Sequence, residues 1–138
     1  MRCATSRRHA IAEAVVDASA LVDLLLGNEL GTAVQRRIAG HALHAPAHAD
    51  AEILSALGRL QRAGTIEADD VEIMLIRLAA APIQRHPVMD LLLGAWGRRD
   101  RLRLADALYV ELAASRDVPL FTTDRRLHPV PGAEVVAA

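Results

Sequence analysis

Residues 14–25 read AVVDASALVDLL, and the first aspartate in that stretch decides the fold. Ala14, Val15 and Val16 form the short apolar, β-branched run expected of a strand buried on both faces. Asp17 ends it, and an apolar pattern of helical period follows at once and stops near Gly27. A buried strand feeding straight into a helix opens a strand–helix unit, with a carboxylate at the strand's carboxyl end. The position has two readings. The side chain can cap the helix, or it can belong to a reactive site, because parallel sheets bind ligands beyond those ends.

Working outward, the alternation repeats. Residues 30–38 read as a second helix with Gly40 beyond it, and HALHA (41–45) as a short strand stopped by Pro46. In AHADAEILSALGRLQRAG (47–64), Ile53, Leu57 and Leu60 share one helical face and Gly64 marks the end. EADDVEIMLIRLAAA (67–81) gathers its acids in a first turn, where the helix dipole favours them. Its Met74, Leu75, Ile76 and Leu78 read as core or as a groove for a partner helix. PIQRHP (82–87) is expected to be a strand and VMDLLLGAW (88–96) a helix, with Trp96 in the core or at a subunit interface. LADALYVELAAS (104–115) is nearly all apolar, hence a buried helix, and VPLFTTD (118–124) is a last strand ending in Asp124. Such alternation predicts a parallel sheet covered on both faces. No repeat or linker divides the chain, so residues 13–138 read as one domain. Residues 1–12, basic but without a continuous apolar run, read as a flexible leader.

Composition narrows the function. With 52% hydrophobic and 24% charged residues, the 138-residue chain is a folding sequence, not a disordered one. No apolar run approaches the length of a membrane span, so a soluble protein is expected. Cys3 stands alone, which excludes an internal disulfide and a thiolate zinc cluster and points to a reducing cytoplasm. All 16 basic residues are arginine and the net charge is −1, so no global basic field draws nucleic acid. Contact with nucleic acid would need a local patch or a bridging metal. Trp96, Tyr109 and Phe121 are the only aromatics, too few for a base-stacking sheet.

Four acids then stand out. Asp17 and Asp124 follow strands, while Asp106 and Glu52 lie early in helices. Each alone has a capping or dipole explanation. Grouped in a partly dry cleft, they would hold protons unless a cation joined them. An all-oxygen donor set selects Mg²⁺ or Mn²⁺ over zinc, and such a cation suits phosphodiester cleavage. Helical periodicity does not choose between Glu52 and Asp50. Arg98, Arg99, Arg101 and Arg103 precede the helix of Asp106 and could guide an RNA backbone, or form an ordinary solvated turn. His41, His44 and His48 are set aside as a metal site, since Pro46 breaks any shared helix and strand neighbours face opposite ways. Asp23 is read as surface.

The segments VVDASALVDLL, AHADAEILSAL, LADALYVELA and FTTD, taken in that order, resemble a PIN domain of the VapC toxin type. The resemblance implies a three-layer α/β/α sandwich around a central, mostly parallel sheet, and a metal-dependent endoribonuclease. It places Asp17, Glu52 (rather than Asp50), Asp106 and Asp124 as catalytic, metal-binding acids, with Ser19 and Thr123 in support. The segment RLRLA before Asp106 departs from the family, which often has a small polar residue and an aromatic there. Related toxins cut particular tRNAs or ribosomal loops, and are held silent by a small antitoxin lying across the site; a homodimer is implied as well. The alternative is a PIN-like scaffold that has lost catalysis, though all four acids are present. A haloacid-dehalogenase-type phosphatase would need a second acid where Ser19 stands, and both it and a receiver domain would need a lysine.

Overall fold

The computed structural model describes residues 11–138. Cys3 and most of the expected leader lie outside the described residues, and Ala12 already opens the first strand. Five strands, β1 (Ala12–Val16), β2 (His41–Pro46), β3 (Ile83–His86), β4 (Leu120–Thr122) and β5 (Ala133–Val135), form one sheet in the order β3-β2-β1-β4-β5. Every pairing is parallel. Six helices accompany them: α1 (Ala18–Leu26), α2 (Glu29–Ile38), α3 (Ala49–Arg62), α4 (Ala68–Ala80), α5 (Leu92–Trp96) and α6 (Leu104–Arg116). The architecture is the expected three-layer sandwich.

The side-chain period of a strand explains the layers. Val15 and Val16 are both fully buried but belong to different cores. Val15 packs with Tyr109, Val110, Leu112 and Leu120, under α6. Val16 packs with Leu21, Leu25, Val34, Ile53, Leu57 and Leu78, under α1 to α4. Because both faces of β1 are covered, its sequence shows no alternation of apolar and polar residues. Full burial of one such side chain contributes about 1.5–3 kcal/mol, so Val15 and Val16 anchor β1 into both cores.

Two glycines shape the turn after α1. Gly27 closes the helix at φ 68°, donating its N–H to the Asp23 carbonyl at 3.0 Å. Gly31 brings α2 against that same carbonyl: a Cβ built there would stand 2.0 Å from Asp23 O.

Several expectations are corrected. Residues 88–96 do not form one helix; a 3₁₀ turn (Val88–Leu91) precedes the short α5. Trp96 is not core but half exposed, with the Arg99 guanidinium 4.8 Å from its ring centre. In α4 only Leu78 is buried; Met74 and Leu75 are partly so and Ile76 faces outward. The third helix starts at Ala49, after His48. β5 escaped the sequence reading, since three residues bounded by Gly132 show no period. Among the described residues, no helix is long and apolar enough to cross a membrane.

Candidate active site

The strand order reverses at β1: β2 and β3 lie to one side, β4 and β5 to the other. The helices leaving β1 and β2 therefore diverge from the loop leaving β4, and a crevice opens beyond the strands' carboxyl ends. Asp17 follows β1 and Asp124 follows β4, while α3 contributes Glu52 and α6 contributes Asp106. All four line one cavity of ≈ 390 Å³. A larger hollow of ≈ 720 Å³ lies between α2 and the C-terminal residues, but no set of acids converges there.

Asp17 caps a helix and also lines the cavity. Its Oδ1 accepts the Ala20 N–H at 3.0 Å, which makes it the N-cap of α1, and also the Ser19 hydroxyl at 2.7 Å. The Thr122 hydroxyl donates to Oδ2. The residue is only 5% exposed, and burial pushes its carboxyl from the ordinary 3.8 up to about 6 against the pull of those donors, with the nearby Asp106 charge adding to the rise. Asp106 is likewise raised, first by burial and then by the charge of Asp124.

The other two acids are quenched by partners. Asp124 caps the short turn Arg125–Leu127 and takes Arg126 in a forked pair, Nη2 to Oδ2 at 2.6 Å and Nε to Oδ1 at 3.0 Å. Those hydrogen bonds hold its carboxyl below the usual range. Glu52 Oε1 accepts the Tyr109 hydroxyl at 2.6 Å and lies 3.2 Å from His48 Nε2. The His48 bond is the main reason its carboxyl is lowered; desolvation opposes it. Tyr109 itself is raised by burial and by its bond to Glu52.

Geometry also separates Glu52 from Asp50. Asp50 points the other way and takes both Nε and Nη2 of Arg85, at 3.2 and 3.1 Å. Arg85 in turn holds the Leu78 carbonyl at 2.8 Å. Asp50 thus ties α3 to the end of α4 and to β3, and takes no part in the cavity.

Of the supporting residues, Ser19 bridges Asp17 and Thr122 (3.2 Å between hydroxyls). Thr123 turns instead to Asp23 Oδ2, 2.7 Å away. Asp23 is therefore not plain surface: it lines the cavity rim and also takes the Asn28 amide. The four arginines part company. Arg103 reaches the cavity, whereas Arg101 lies outside it beside Leu102 and Pro129, Arg98 pairs with Glu111 at 3.1 Å and Arg99 bonds the Trp96 carbonyl. Arg59 and Arg126 join Arg103 at the rim. The histidines do not gather: His41 stands edge-on to Phe121, and His44 links His86 to Glu13 at 2.8 Å each, while His48 reaches Glu52.

Sequence reasoning missed Thr122, Tyr109, His48 and Arg126. Tyr109 had a signal, since it lies three residues after Asp106 and so on the same helical face. Thr122 had one too, as the last strand residue before the acid-bearing loop.

A divalent cation fits the donor set. Asp17 is deeply buried with hydroxyl and amide partners but no cationic one among the described residues, and its raised carboxyl marks a charge awaiting compensation. Among the described residues no three acids or histidines already stand at ligand spacing. Asp124 would have to leave Arg126 to join the others.

A PIN domain model matches residues 14–133. Ribonuclease VapC3 of Mycobacterium tuberculosis is 55% identical over 116 residues, 83% of this chain and 85% of that protein. Ribonuclease VapC12 of the same organism is 36% identical over 82% of this chain and 88% of that protein. Among solved structures, the sarcin–ricin loop cleaving toxin VapC20 superposes with a TM-score of 0.67 at 20% identity, covering 90% of this chain and 99% of that one. A Pyrobaculum aerophilum protein gives 0.64 at 26% identity over 89% and 83%.

Proposed function

The chain belongs to the PIN-domain family, among the VapC-type ribonucleases of toxin–antitoxin systems, and from that premise we propose that Asp17, Glu52, Asp106 and Asp124 hold Mg²⁺ or Mn²⁺ for hydrolysis of RNA phosphodiesters. It is an endoribonuclease toxin neutralised by an antitoxin. The single observation that carries the metal-dependent reading is the convergence of four acids, from four separate elements, on one cavity at the switch point of the sheet.

When bound, the cation supplies an activated water and neutralises charge at the phosphorus. The chain's own residues do the rest. Asp17, fixed by three donors, and Asp106, on the rigid first turn of α6, are the principal ligands. Glu52 and Asp124 complete the site or take a proton from the attacking water. Arg103, Arg126 and Arg59, at the rim, hold the backbone of the RNA. A structured RNA such as a tRNA or a ribosomal loop is the substrate class, and a cytoplasmic setting supplies it. The exposed apolar side chains Met89, Leu92, Leu93 and Trp96 support a homodimer across α5.

The test is incubation of pure protein with total cellular RNA and Mg²⁺ or Mn²⁺, beside Asp17→Asn. Discrete cuts that need the metal and vanish in the variant are expected. A folded variant that cuts as well as wild type overturns the assignment.

A further inference from the structure

Tyr109 and His48 do more than pack. Tyr109 is 2% exposed, and a buried phenol must place its O–H on an acceptor. Its acceptor is Glu52 Oε1 at 2.6 Å, the short spacing of a hydrogen bond to a charged oxygen. His48 lies against the Tyr109 ring, centroids 4.8 Å apart and planes tilted by 48°. Its Nε2 hydrogen-bonds the Ala105 carbonyl at 3.1 Å, which makes Nε2 the N–H donor, and lies 3.2 Å from the same Glu52 Oε1. Among the described residues, Nδ1 is buried without a partner.

The Tyr109 hydroxyl and the His48 ring edge thus meet at one oxygen of Glu52. Among the described residues nothing donates to Oε2. The clamp also spans the site: His48 sits before α3, Tyr109 is on α6, and Ala105 adjoins Asp106. The segment that carries Glu52 is thereby tied to the helix that carries Asp106.

We propose that Tyr109 and His48 are positioning residues that pin Glu52 through Oε1, leaving Oε2 as the one oxygen it presents to a divalent cation. This rests on the metal-dependent reading of the four acids. Groups that orient a ligand from behind typically alter metal affinity or activity about 10–100-fold when removed. Tyr109→Phe keeps the ring and deletes only the O–H.

The experiment is calorimetric titration of Mn²⁺ into wild type, Asp17→Asn, Tyr109→Phe, Glu52→Gln and the Tyr109→Phe/Glu52→Gln double variant, each shown folded by circular dichroism in EDTA. Wild type is expected to bind Mn²⁺ and Asp17→Asn to bind it far more weakly; this pair tests the four-acid reading by itself. Tyr109→Phe should weaken Mn²⁺ on the order of tenfold or more, with no further loss when added to Glu52→Gln. In RNA cleavage its KM should hold while kcat falls, and excess Mn²⁺ should restore the rate. Wild-type Mn²⁺ affinity in Tyr109→Phe, or an equal loss in the Glu52→Gln background, overturns the clamp while leaving the four-acid reading intact. Absence of Mn²⁺ binding by wild type overturns both. Should Tyr109→Phe fail to fold, His48→Ala reads the same clamp from its other residue, with the same outcomes deciding.

Discussion

Among the described residues, Asp17 is a buried charge without a counter-charge, and the metal-free protein bears the cost. The proton affinity of its carboxyl rises on folding, from 3.8 to about 6, so ionisation opposes the folded state. The cost is absent below about pH 4 and complete above about pH 6. At about 1.4 kcal/mol per tenfold change in proton affinity, it amounts to about 3 kcal/mol. In EDTA, Asp17→Asn should therefore be the more stable protein at pH 7.5, by an amount that shrinks to little at pH 4; urea denaturation at the two pH values measures it. With Mn²⁺ added the ranking narrows, because only wild type gains. Arg126 presents the opposite case, a cation already seated on Asp124, one of the proposed ligands. Arg126→Ala should tighten Mn²⁺ a few-fold by calorimetry, about what an exposed forked pair is worth. Three aspartates were legible in the sequence because strand ends and first turns fix where a side chain emerges. Arg126 was not, because its direction depends on a loop with no period.

At the level of elements, α3 shows how one helix serves two tasks from neighbouring positions. Asp50 and Glu52 are two residues apart, some 200° around the helix, and turn to different neighbours. Asp50→Ala should cost roughly 1 kcal/mol or less by loss of the partly exposed Arg85 pair and leave RNA cleavage unchanged. Glu52→Ala should do the reverse, abolishing cleavage at little cost in melting temperature. Periodicity could not separate them, because the partner that claims Asp50 lies on β3, 35 residues away. The α1–α2 corner depends on close approach. Gly31→Val would force a methyl-bearing carbon into the Asp23 carbonyl, and a loss of 1–3 kcal/mol or more is expected from such overpacking; denaturant unfolding measures it. The strand–helix alternation was legible because apolar runs are long and bounded by Gly, Pro and Asp. The 3₁₀ turn before α5 was not, since a run such as VMDLLLGAW fits either helix, and packing on α6 decides.

For the molecule as a whole, charge is arranged and not abundant. With a net charge of −1, attraction to RNA must come from the arginines at the cavity rim. Neutralising Arg103 should weaken RNA binding and lower its salt slope by about one. Neutralising Arg98, already committed to Glu111, should change neither; filter binding across a salt series checks both. The four acids could be picked out in the sequence, yet only the sheet order explains why residues 17 and 124 line one cavity. That order has a consequence in time. Thr122 donates to Asp17, and Asp124 belongs to the loop that follows β4, so the cavity is complete only once residues 122–124 are in place. At the usual pace of synthesis, roughly 5–20 residues per second, about 5–20 s separate the making of its first and last acids. A nascent chain not yet extended past Asp124 lacks both the Thr122 donor and the fourth acid of the cavity, so its four-acid cavity is incomplete.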